Sequence, residues 1–272
     1  MLFVTTDELI EQTKAYLEAE WELTDLGEPI KIVEIEITIG DCSVTISQHR
    51  YLESVLKKEG MEHANPVGMP LDLNVMLEPN PDGGTGNCSN SYAQLIGKLQ
   101  FIANTTRPNI AYAISKLPFY TANPSMQHVT VLKRVLRYLS GTKSYGITYN
   151  DILEHPNQFI GYADAAFANA NDHKSTTRYI FKMAGGAVTW YSKKQTVTAL
   201  SSIEAKYIAL SETAREVHWL RTLFQELGFA QALPTKIQGN NEGSIALVKN
   251  HQFHKWAKHI RVQFHSMRKQ VQ

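Results

Sequence analysis

The longest helix that this sequence predicts begins in the stretch Ala199-Leu-Ser-Ser-Ile-Glu-Ala-Lys-Tyr-Ile-Ala-Leu210. Ser201 or Ser202 is a suitable N-cap residue, and apolar side chains recur at helical spacing as far as Glu226. Gly228 follows, as is usual just past a helix C-terminus. A helix of this length with an apolar stripe needs a second layer to pack against, and the neighbouring strands supply it.

Strands are predicted on both sides of that helix. Three precede it, over 158–163, 179–183 and 187–192, with Gly185-Gly186 as the turn between the last two, and one follows over 235–238. Further short helices are predicted over 242–249 and 259–269. The order strand, strand, strand, helix, strand, helix predicts an α/β fold for the C-terminal part, which we begin at residue 156.

The residues upstream of 156 predict a different, mixed α and β region. It contains a helix from Asp7 to about Trp21, strands over 32–39 and 43–46, a helix over 48–58, a polar linker over 80–90, and helices over 91–103, from Pro108 to about Pro118, and from Ser125 to Gly141. The linker divides this region at about residue 80. We therefore predict three parts, 1–79, 80–155 and 156–272.

Charge divides the chain at a similar place. Residues 1–155 hold 12 Lys and Arg against 19 Asp and Glu, whereas residues 156–272 hold 15 against 7. From Gly243 onward there is no acidic residue. A cationic surface predicts a polyanionic partner such as nucleic acid, although a solvated helix face explains an isolated basic cluster about equally well.

The composition also argues against several classes of protein. The longest apolar runs are much shorter than a bilayer span, so no membrane partner is expected. No basic leader precedes Asp7, and the pair Cys42 and Cys88 gives neither a disulfide framework nor zinc-ligand spacing. The sequence thus predicts an intracellular protein, cytoplasmic or nuclear.

Two acidic residues lie among apolar neighbours. Asp164 follows Gly161-Tyr-Ala in a predicted strand, and Glu204 lies in the first turn of the long helix. Taken singly, each is more often a capping or surface group than a functional one. A carboxylate inside an apolar strand is nevertheless costly unless a cation or hydrogen-bond donors meet it.

The motifs of the C-terminal part, taken in order, resemble the ribonuclease H domain of copia-type retrotransposon Pol polyproteins. They are Gly161-Tyr-Ala-Asp-Ala-Ala-Phe-Ala168, Lys174-Ser-Thr-Thr177, Gly185-Gly-Ala-Val-Thr-Trp-Tyr-Ser-Lys-Lys-Gln195, Ala199 to Leu210, Ser244-Ile-Ala-Leu247 and Lys258-His-Ile260. Upstream, Leu23-Thr-Asp-Leu-Gly27, Thr106-Arg-Pro-Asn-Ile-Ala-Tyr-Ala113 and Leu136-Arg-Tyr-Leu-Ser-Gly-Thr142 resemble the end of the same family's reverse transcriptase. The resemblance covers nearly the entire chain.

The resemblance implies an α/β fold class and a set of three parts. Residues 156–272 would form a ribonuclease H-like mixed five-stranded sheet with flanking helices. Residues 1–79 would be a reverse-transcriptase palm remnant with the start of the thumb, and residues 80–155 a helical thumb and connection region. The family's polymerase motif, Tyr-x-Asp-Asp, lies just before residues like Met1-Leu-Phe-Val4, so we expect no polymerase activity from this chain.

The chemistry implied by the resemblance is hydrolysis of the RNA strand of an RNA/DNA hybrid by two Mg²⁺ ions held by four acidic positions. Asp164 and Glu204 match the first two and are the predicted catalytic and metal-binding residues. At the other two positions the chain has Asn240 and Arg261, which lose and invert the charge. Too little negative charge remains for tight paired binding, so weak or absent Mg²⁺ binding is expected.

Three further groups of residues are candidates for function. Glu242 could substitute for Asn240 only after a local rearrangement, and His265 is a candidate auxiliary in proton transfer. A transition-metal site among His251, His254, His259 and His265 is disfavoured, because no Cys or Asp accompanies them at zinc spacing. The predicted nucleic-acid contacts are Lys174, Ser175, Thr176, Arg178, Lys193, Lys194, Gln195 and Lys258, together with Lys133, Arg134 and Arg137 on one helix face.

The first hypothesis is therefore a Pol fragment that binds RNA/DNA hybrid or duplex nucleic acid and cleaves it poorly or not at all. Its further partner would be the rest of a Pol polyprotein. Two alternatives stay open at this point. One is an active metal-dependent ribonuclease that uses one or two metal ions, and the other is a non-catalytic remnant or protein-interaction module.

Overall fold

A computed structural model describes residues 7–22, 24, 27–72, 75–80, 89–150, 152, 157–170, 172–240 and 243–244. Within these residues the chain is a mixed α and β protein with two four-stranded sheets and six α-helices. The predicted helices over 242–249 and 259–269 lie outside the described residues, apart from Gly243 and Ser244, and so does most of the predicted linker over 80–90.

The first sheet is antiparallel and lies in the upstream region. Helix α1 (Asp7–Glu20) precedes it, and the strands follow one another across it in the order β1 (Lys31–Ile32), β2 (Ile35–Gly40), β3 (Ser43–Ser47) and β4 (Ile147–Asn150). The predicted strands over 32–39 and 43–46 are present as β2 and β3, but the first of them is interrupted after Ile32. Val33 and Glu34 both have positive φ, which is the geometry of a two-residue hairpin turn, and they separate β1 from β2.

The upstream helices enclose one large apolar core. They are α2 (His49–Lys58), α3 (Ser89–Thr105), α4 (Ala111–Lys116) with 3-10 turns over 108–110 and 117–120, and α5 (Met126–Gly141). The core residues range from Leu52 on α2 to Leu139 on α5. The predicted boundary near residue 80 therefore crosses a shared core, and β4 also pairs with β3 across it.

The second sheet lies in the C-terminal part, as the strand pattern predicts. Its strands are β5 (Ile160–Ala166), β6 (Thr176–Met183), β7 (Gly186–Lys194) and β8 (Lys236–Gly239), and helix α6 (Ser202–Glu226) connects β7 to β8. The order across the sheet is β7-β6-β5-β8, with β8 parallel to β5 and the other pairs antiparallel. Four strands lie in the described residues, so a fifth stays a prediction.

The two faces of this sheet pack against different parts of the chain. Ala165 of β5 packs against Ala205, Ile208 and Ala209 of α6, and small side chains allow the helix to approach closely. On the other face, the Trp190 indole Nε1 donates a hydrogen bond of 2.7 Å to the carbonyl oxygen of Ala103 at the end of α3. Since side chains alternate along a strand, each strand contributes residues to both faces.

Among the helices of the described residues, none is both long enough and apolar enough to cross a membrane.

Candidate functional site

Asp164 lies at the centre of the candidate site, on strand β5. Its neighbours Ala163 and Ala165 are buried, whereas the Asp164 side chain is 44% exposed. Ala165 faces α6, so the alternation of the strand places Asp164 on the opposite face of the sheet. The predicted strand over 158–163 stops just before this residue, whereas β5 extends to Ala166 and includes it.

The register of β5 and β8 places Asn240 beside Asp164. The two parallel strands pair as far as Ala163 and Gly239, so the next residue of each strand is Asp164 or Asn240. The first and third of the four acidic positions implied by the resemblance therefore lie next to each other. The side chain present at the third is a neutral amide.

A residue that the sequence reasoning missed lies between these two. The Lys206 ammonium of α6 donates a hydrogen bond of 2.5 Å to Asn240 Oδ1 and lies 3.3 Å from Asp164 Oδ1. Its charge balances that of Asp164. The available signal was the position of Lys206 in the first turns of α6, between Ala205 and Tyr207, which are both buried.

Glu204 holds the start of α6 together. Its Oε2 accepts a hydrogen bond of 2.8 Å from the backbone N–H of Leu200, and its own N–H donates to the Ser201 hydroxyl at 3.1 Å. This reciprocal arrangement resembles a capping box and satisfies N–H groups at the helix start. A capping role, the ordinary one for an acidic residue in a first turn, is thus the one that these contacts support.

The donor set around Asp164 does not fit a pair of Mg²⁺ ions. Hard divalent cations require several oxygen ligands with enough negative charge to offset their own. Here one carboxylate faces an ammonium and an amide, and a Glu204 oxygen is hydrogen-bonded to the backbone. Within the described part of the chain there is no group of three His, Cys, Asp or Glu side chains that could hold a metal ion.

The remaining predicted residues of the metal site lie outside the described residues. These are Arg261, Glu242 and His265, and Lys258 of the predicted nucleic-acid surface lies there too, as do His251, His254 and His259. The predictions made for them stay predictions.

Three of the predicted phosphate contacts are buried. Ser175, Thr176 and Gln195 are at most 3% exposed. The Ser175 hydroxyl accepts a hydrogen bond from the Ala168 N–H, Thr176 donates to Asn169, and Gln195 donates to the Ala205 carbonyl oxygen. As placed, these side chains cannot reach a phosphate. Their hydrogen bonds instead fix the edge of the sheet and the start of α6.

The cations of the second sheet differ in how freely they could bind an anion. Lys193 is exposed and Lys174 is half-buried. The Lys194 ammonium forms an ion pair of 3.0 Å with Asp172 and lies over the Phe119 ring, and its hydrogen bond lowers the pKa of the Asp172 carboxyl. Lys193 is therefore the most accessible of the cations predicted on β7.

The three cations of α5 also divide into two kinds. Lys133 is exposed, whereas Arg134 donates to the Met69 carbonyl oxygen at 3.3 Å and Arg137 donates to that of Asn65 at 2.7 Å. The two arginines thereby attach the segment after α2 to α5. This contact gives them a structural role that the sequence did not reveal.

The adjacent aromatic residues of β7 point to opposite faces, as strand alternation predicts. Trp190 bonds to Ala103 on the α3 side, whereas the Tyr191 ring stacks on Tyr179 with centroids 5.1 Å apart. Glu212 and Arg215 of α6 act on the Tyr191 hydroxyl, and its pKa is raised mainly by burial. Tyr191 therefore has a structural role on the α6 side of the sheet.

Comparison with known proteins gives relatives over the whole chain. It is 35% identical to the retrovirus-related Pol polyprotein from transposon TNT 1-94 of Nicotiana tabacum over 100% of this chain, and 33% identical to that from transposon RE1 of Arabidopsis thaliana over 97%. It covers 21% and 18% of those two relatives, about a fifth of their length. A putative transposon Ty5-1 protein of Saccharomyces cerevisiae is 30% identical over 77% of this chain and 68% of its own length. No protein-family model matches the chain.

Proposed function

The chain belongs to the Pol polyproteins of copia-type transposons, and from that premise we propose that residues 156–272 are a ribonuclease H-like domain that binds nucleic acid without efficient hydrolysis. The ligand would be an RNA/DNA hybrid or a duplex. The upstream residues would be the end of a reverse transcriptase with its connection. The proposed setting is a larger Pol polyprotein, since the relatives are about five times longer than the matched region.

One observation carries the loss of hydrolysis. The Lys206 ammonium contacts both Asp164 and Asn240, the residues at two of the positions that would hold metal ions. A fixed positive charge at this distance opposes the binding of a divalent cation, and the nearby Asp164 charge is already balanced. The cofactor that the resemblance implies is Mg²⁺. Because of this contact, we expect Mg²⁺ to bind weakly or not at all to this chain.

Nucleic-acid binding is supported by the charge of residues 156–272, which hold 15 Lys and Arg against 7 Asp and Glu. Lys193 is the exposed cation on β7, and Lys174 lies two residues before β6, the strand that pairs with β7. Phosphate contacts made by such residues do not depend on sequence and weaken as salt rises, because counterions are released on binding.

The binding claim is tested by fluorescence anisotropy of a labelled RNA/DNA hybrid at several salt concentrations. We expect affinity to fall with salt, and Lys193→Ala to reduce the slope of log affinity against log salt by about one. Lys182→Ala is the matched control, because Lys182 is exposed near the opposite end of β6. Binding that does not respond to salt, or a control variant that weakens it as much as Lys193→Ala, would contradict this surface.

The hydrolysis claim is tested by restoring charge. Asn240→Asp with Arg261→Asp introduces carboxylates at the two positions that lack them. The Lys206 ammonium stays beside Asp164, so this double variant should remain inactive. Adding Lys206→Glu should produce Mg²⁺-dependent cleavage of the hybrid and measurable Mg²⁺ binding by calorimetry. Adding Lys236→Glu instead makes the same change on β8, at a lysine that does not contact Asp164, and should do neither.

The unaltered chain gives the decisive control. Metal-dependent cleavage of the hybrid by this chain, abolished by Asp164→Asn, would show that hydrolysis has been retained and would overturn the second half of the proposal. Activity in the Asn240→Asp, Arg261→Asp double variant alone would show instead that Lys206 does not block the site.

A further inference from the structure

A cleft of about 520 Å³ opens between the second sheet and helix α4, on the sheet face opposite α6. Its walls include the aromatic rings of Tyr112 on α4, Tyr162 on β5 and Trp190 on β7. The Trp190 ring is held in place by its 2.7 Å hydrogen bond to Ala103. The cleft is of ordinary size for a small-molecule site, and flat rings line it as they do many such sites.

Three polar side chains form a row within this cleft. Asp164, Arg178 and Ser192 are direct cross-strand neighbours on β5, β6 and β7. Since neighbouring strands are about 4.8 Å apart, the row spans about 10 Å. An acceptor, a donor and a hydroxyl that can serve as either are thus arranged along one line.

One atom of each of these side chains is buried without a hydrogen-bond partner in the described chain. These atoms are Asp164 Oδ1, Arg178 Nε and Ser192 Oγ. The Lys206 contact with Asp164 is an ion pair that lacks hydrogen-bond geometry. Buried polar groups are almost always hydrogen-bonded, so three atoms without a hydrogen bond in the same cleft point to a polar ligand.

The Arg178 guanidinium packs against an aromatic ring of the cleft. Its Cζ lies 4.4 Å from the centroid of the Tyr112 ring, which is a cation–π contact. The sequence predicted Arg178 as a nucleic-acid contact, and the structure places it in the wall of this cleft.

We propose that the cleft binds a planar heteroaromatic ring of the nucleobase type, as a free nucleoside or as an unpaired base of a strand. Such a ring packs against the aromatic walls and carries N–H donors and ring or carbonyl acceptors on its edge. An N–H on the edge of the ring would donate a hydrogen bond to Asp164 Oδ1, and an acceptor on that edge would accept one from Arg178 Nε. This proposal does not rest on hybrid binding, because it uses neither Lys193 nor Lys174, the cations proposed to contact the phosphates of the hybrid.

The test is nuclear magnetic resonance of the full chain labelled with ¹⁵N-tryptophan. The Trp190 indole N–H signal is assigned by its loss in Trp190→Phe. Titration with adenosine, guanosine, cytidine or uridine should shift this signal saturably for at least one nucleoside or for a short single strand that carries the same base. Ribose 5-phosphate, which has no aromatic ring, should leave it unchanged. The two arms distinguish a free nucleoside from a base in a strand.

Two variants test the polar row. Arg178→Lys keeps the positive charge but removes Nε, and Ser192→Ala removes the hydroxyl with little change of shape. Each should weaken binding on the order of tenfold, because a buried partner loses its hydrogen bond. Arg215→Lys makes the same change on α6, beyond the other face of the sheet, and should leave the affinity unchanged.

The proposal is overturned if no nucleoside or strand shifts the Trp190 signal at about 10 mM, a concentration that detects even millimolar affinity. It is also overturned if ribose 5-phosphate gives the same shift, or if both Arg178→Lys and Ser192→Ala bind as tightly as the unaltered chain. Hybrid binding measured by anisotropy is a separate result, since Lys193→Ala should alter it without moving the Trp190 titration.

Discussion

The upstream region and the C-terminal sheet of this chain bury different kinds of side chain. Upstream, one continuous core of Leu, Ile, Val and Ala with a single Tyr runs from α2 to α5. Around the second sheet, the apolar clusters are small, and one consists of four alanines and Ile208. Between them lie buried polar residues such as Thr177 and Gln195, which bond to each other.

The kind of side chain that each region buries indicates which region stabilises the fold and which one binds a ligand. Burial of apolar groups is favourable wherever it occurs, whereas a buried polar group costs free energy until a partner meets it. Among the described residues, the C-terminal sheet has three atoms without a hydrogen-bond partner on one face, in Asp164, Arg178 and Ser192, whereas the upstream region has Gln48 Nε2 before α2 and His128 Nε2 on α5. We therefore expect ligands to bind to the C-terminal region. Most of the free energy of unfolding should come from the upstream core.

The largest expected effect comes from the upstream core. Leu99→Ala removes a side chain that is 0% exposed, and it should lower the free energy of unfolding by about 2–5 kcal/mol. Gln100→Ala is the control on the same helix, because Gln100 is exposed. Urea denaturation followed by circular dichroism measures both.

The same experiment tests how strongly the two regions are coupled. Leu99 and Ala103 both lie on α3, and Ala103 accepts the hydrogen bond from Trp190 of the second sheet. The indole N–H resonance of folded Trp190 should therefore disappear at the same urea concentration as the circular-dichroism signal of the helices. Two separate transitions, with Leu99→Ala moving only one, would show that the regions unfold independently.

Local sequence signals predicted the elements that depend on near neighbours. The N-cap Ser201 and the helix end at Gly228, whose φ is positive, match the predicted limits of α6. Strand β4 was not predicted, because its partner β3 lies about a hundred residues earlier and such pairing leaves no local pattern. The turn at Val33-Glu34 was missed because neither residue favours positive φ.

The candidate site could be predicted in part. Motif order brought Asp164 and Asn240 to adjacent places, and the strand register agrees. Lys206 was missed, because a lysine on a helix is usually solvated and only the packing of α6 on the sheet brings its ammonium to Asp164. Ser175 was placed on the surface for a similar reason: its polarity does not reveal that its hydroxyl bonds to the backbone of Ala168.

The next prediction concerns the pH dependence of the upstream region. The ring of His128 is fully buried, and Ser125 donates a backbone hydrogen bond of 2.8 Å to its Nδ1. Burial lowers the pKa of His128 below its ordinary value of 6.5, although a contact with the backbone of Glu78 opposes this. The unfolded chain thus takes up a proton more readily, so stability is full above pH 6.5 and is lost as pH falls through the folded-state pKa.

We expect the free energy of unfolding to fall by on the order of 1 kcal/mol between pH 7.5 and pH 5 because of this histidine. His128→Gln keeps an acceptor for the Ser125 N–H and removes the titration. The variant should therefore lose less stability than the unaltered chain over that range in urea denaturation. An equal loss in the two proteins would assign the acid sensitivity to other groups.

The smallest effect is expected in the C-terminal region and has the opposite sign. Burial raises the pKa of the Glu212 carboxyl above its ordinary value of 4.5, while Arg215, 3.5 Å away, and Lys193 lower it by less. The folded chain therefore holds this proton more tightly than the unfolded chain. Stability from Glu212 is greatest below pH 4.5 and declines as pH rises through the folded-state pKa.

Glu212→Gln should remove that decline and raise the free energy of unfolding at pH 7 by less than about 1 kcal/mol, because the carboxyl keeps some contact with water and its ion pair with Arg215 is weak. Urea denaturation at pH 4.5 and pH 7 measures the change. Glu216→Ala, one turn further along α6, is the comparison for loss of an acceptor that bonds to the Thr189 hydroxyl, and it should destabilise the chain instead. If Glu212→Gln is destabilising at pH 7, the ion pair outweighs burial. The Glu212 carboxylate would then belong with the satisfied polar groups of the C-terminal region, and the expected capacity for binding would rest on the Asp164 cleft alone.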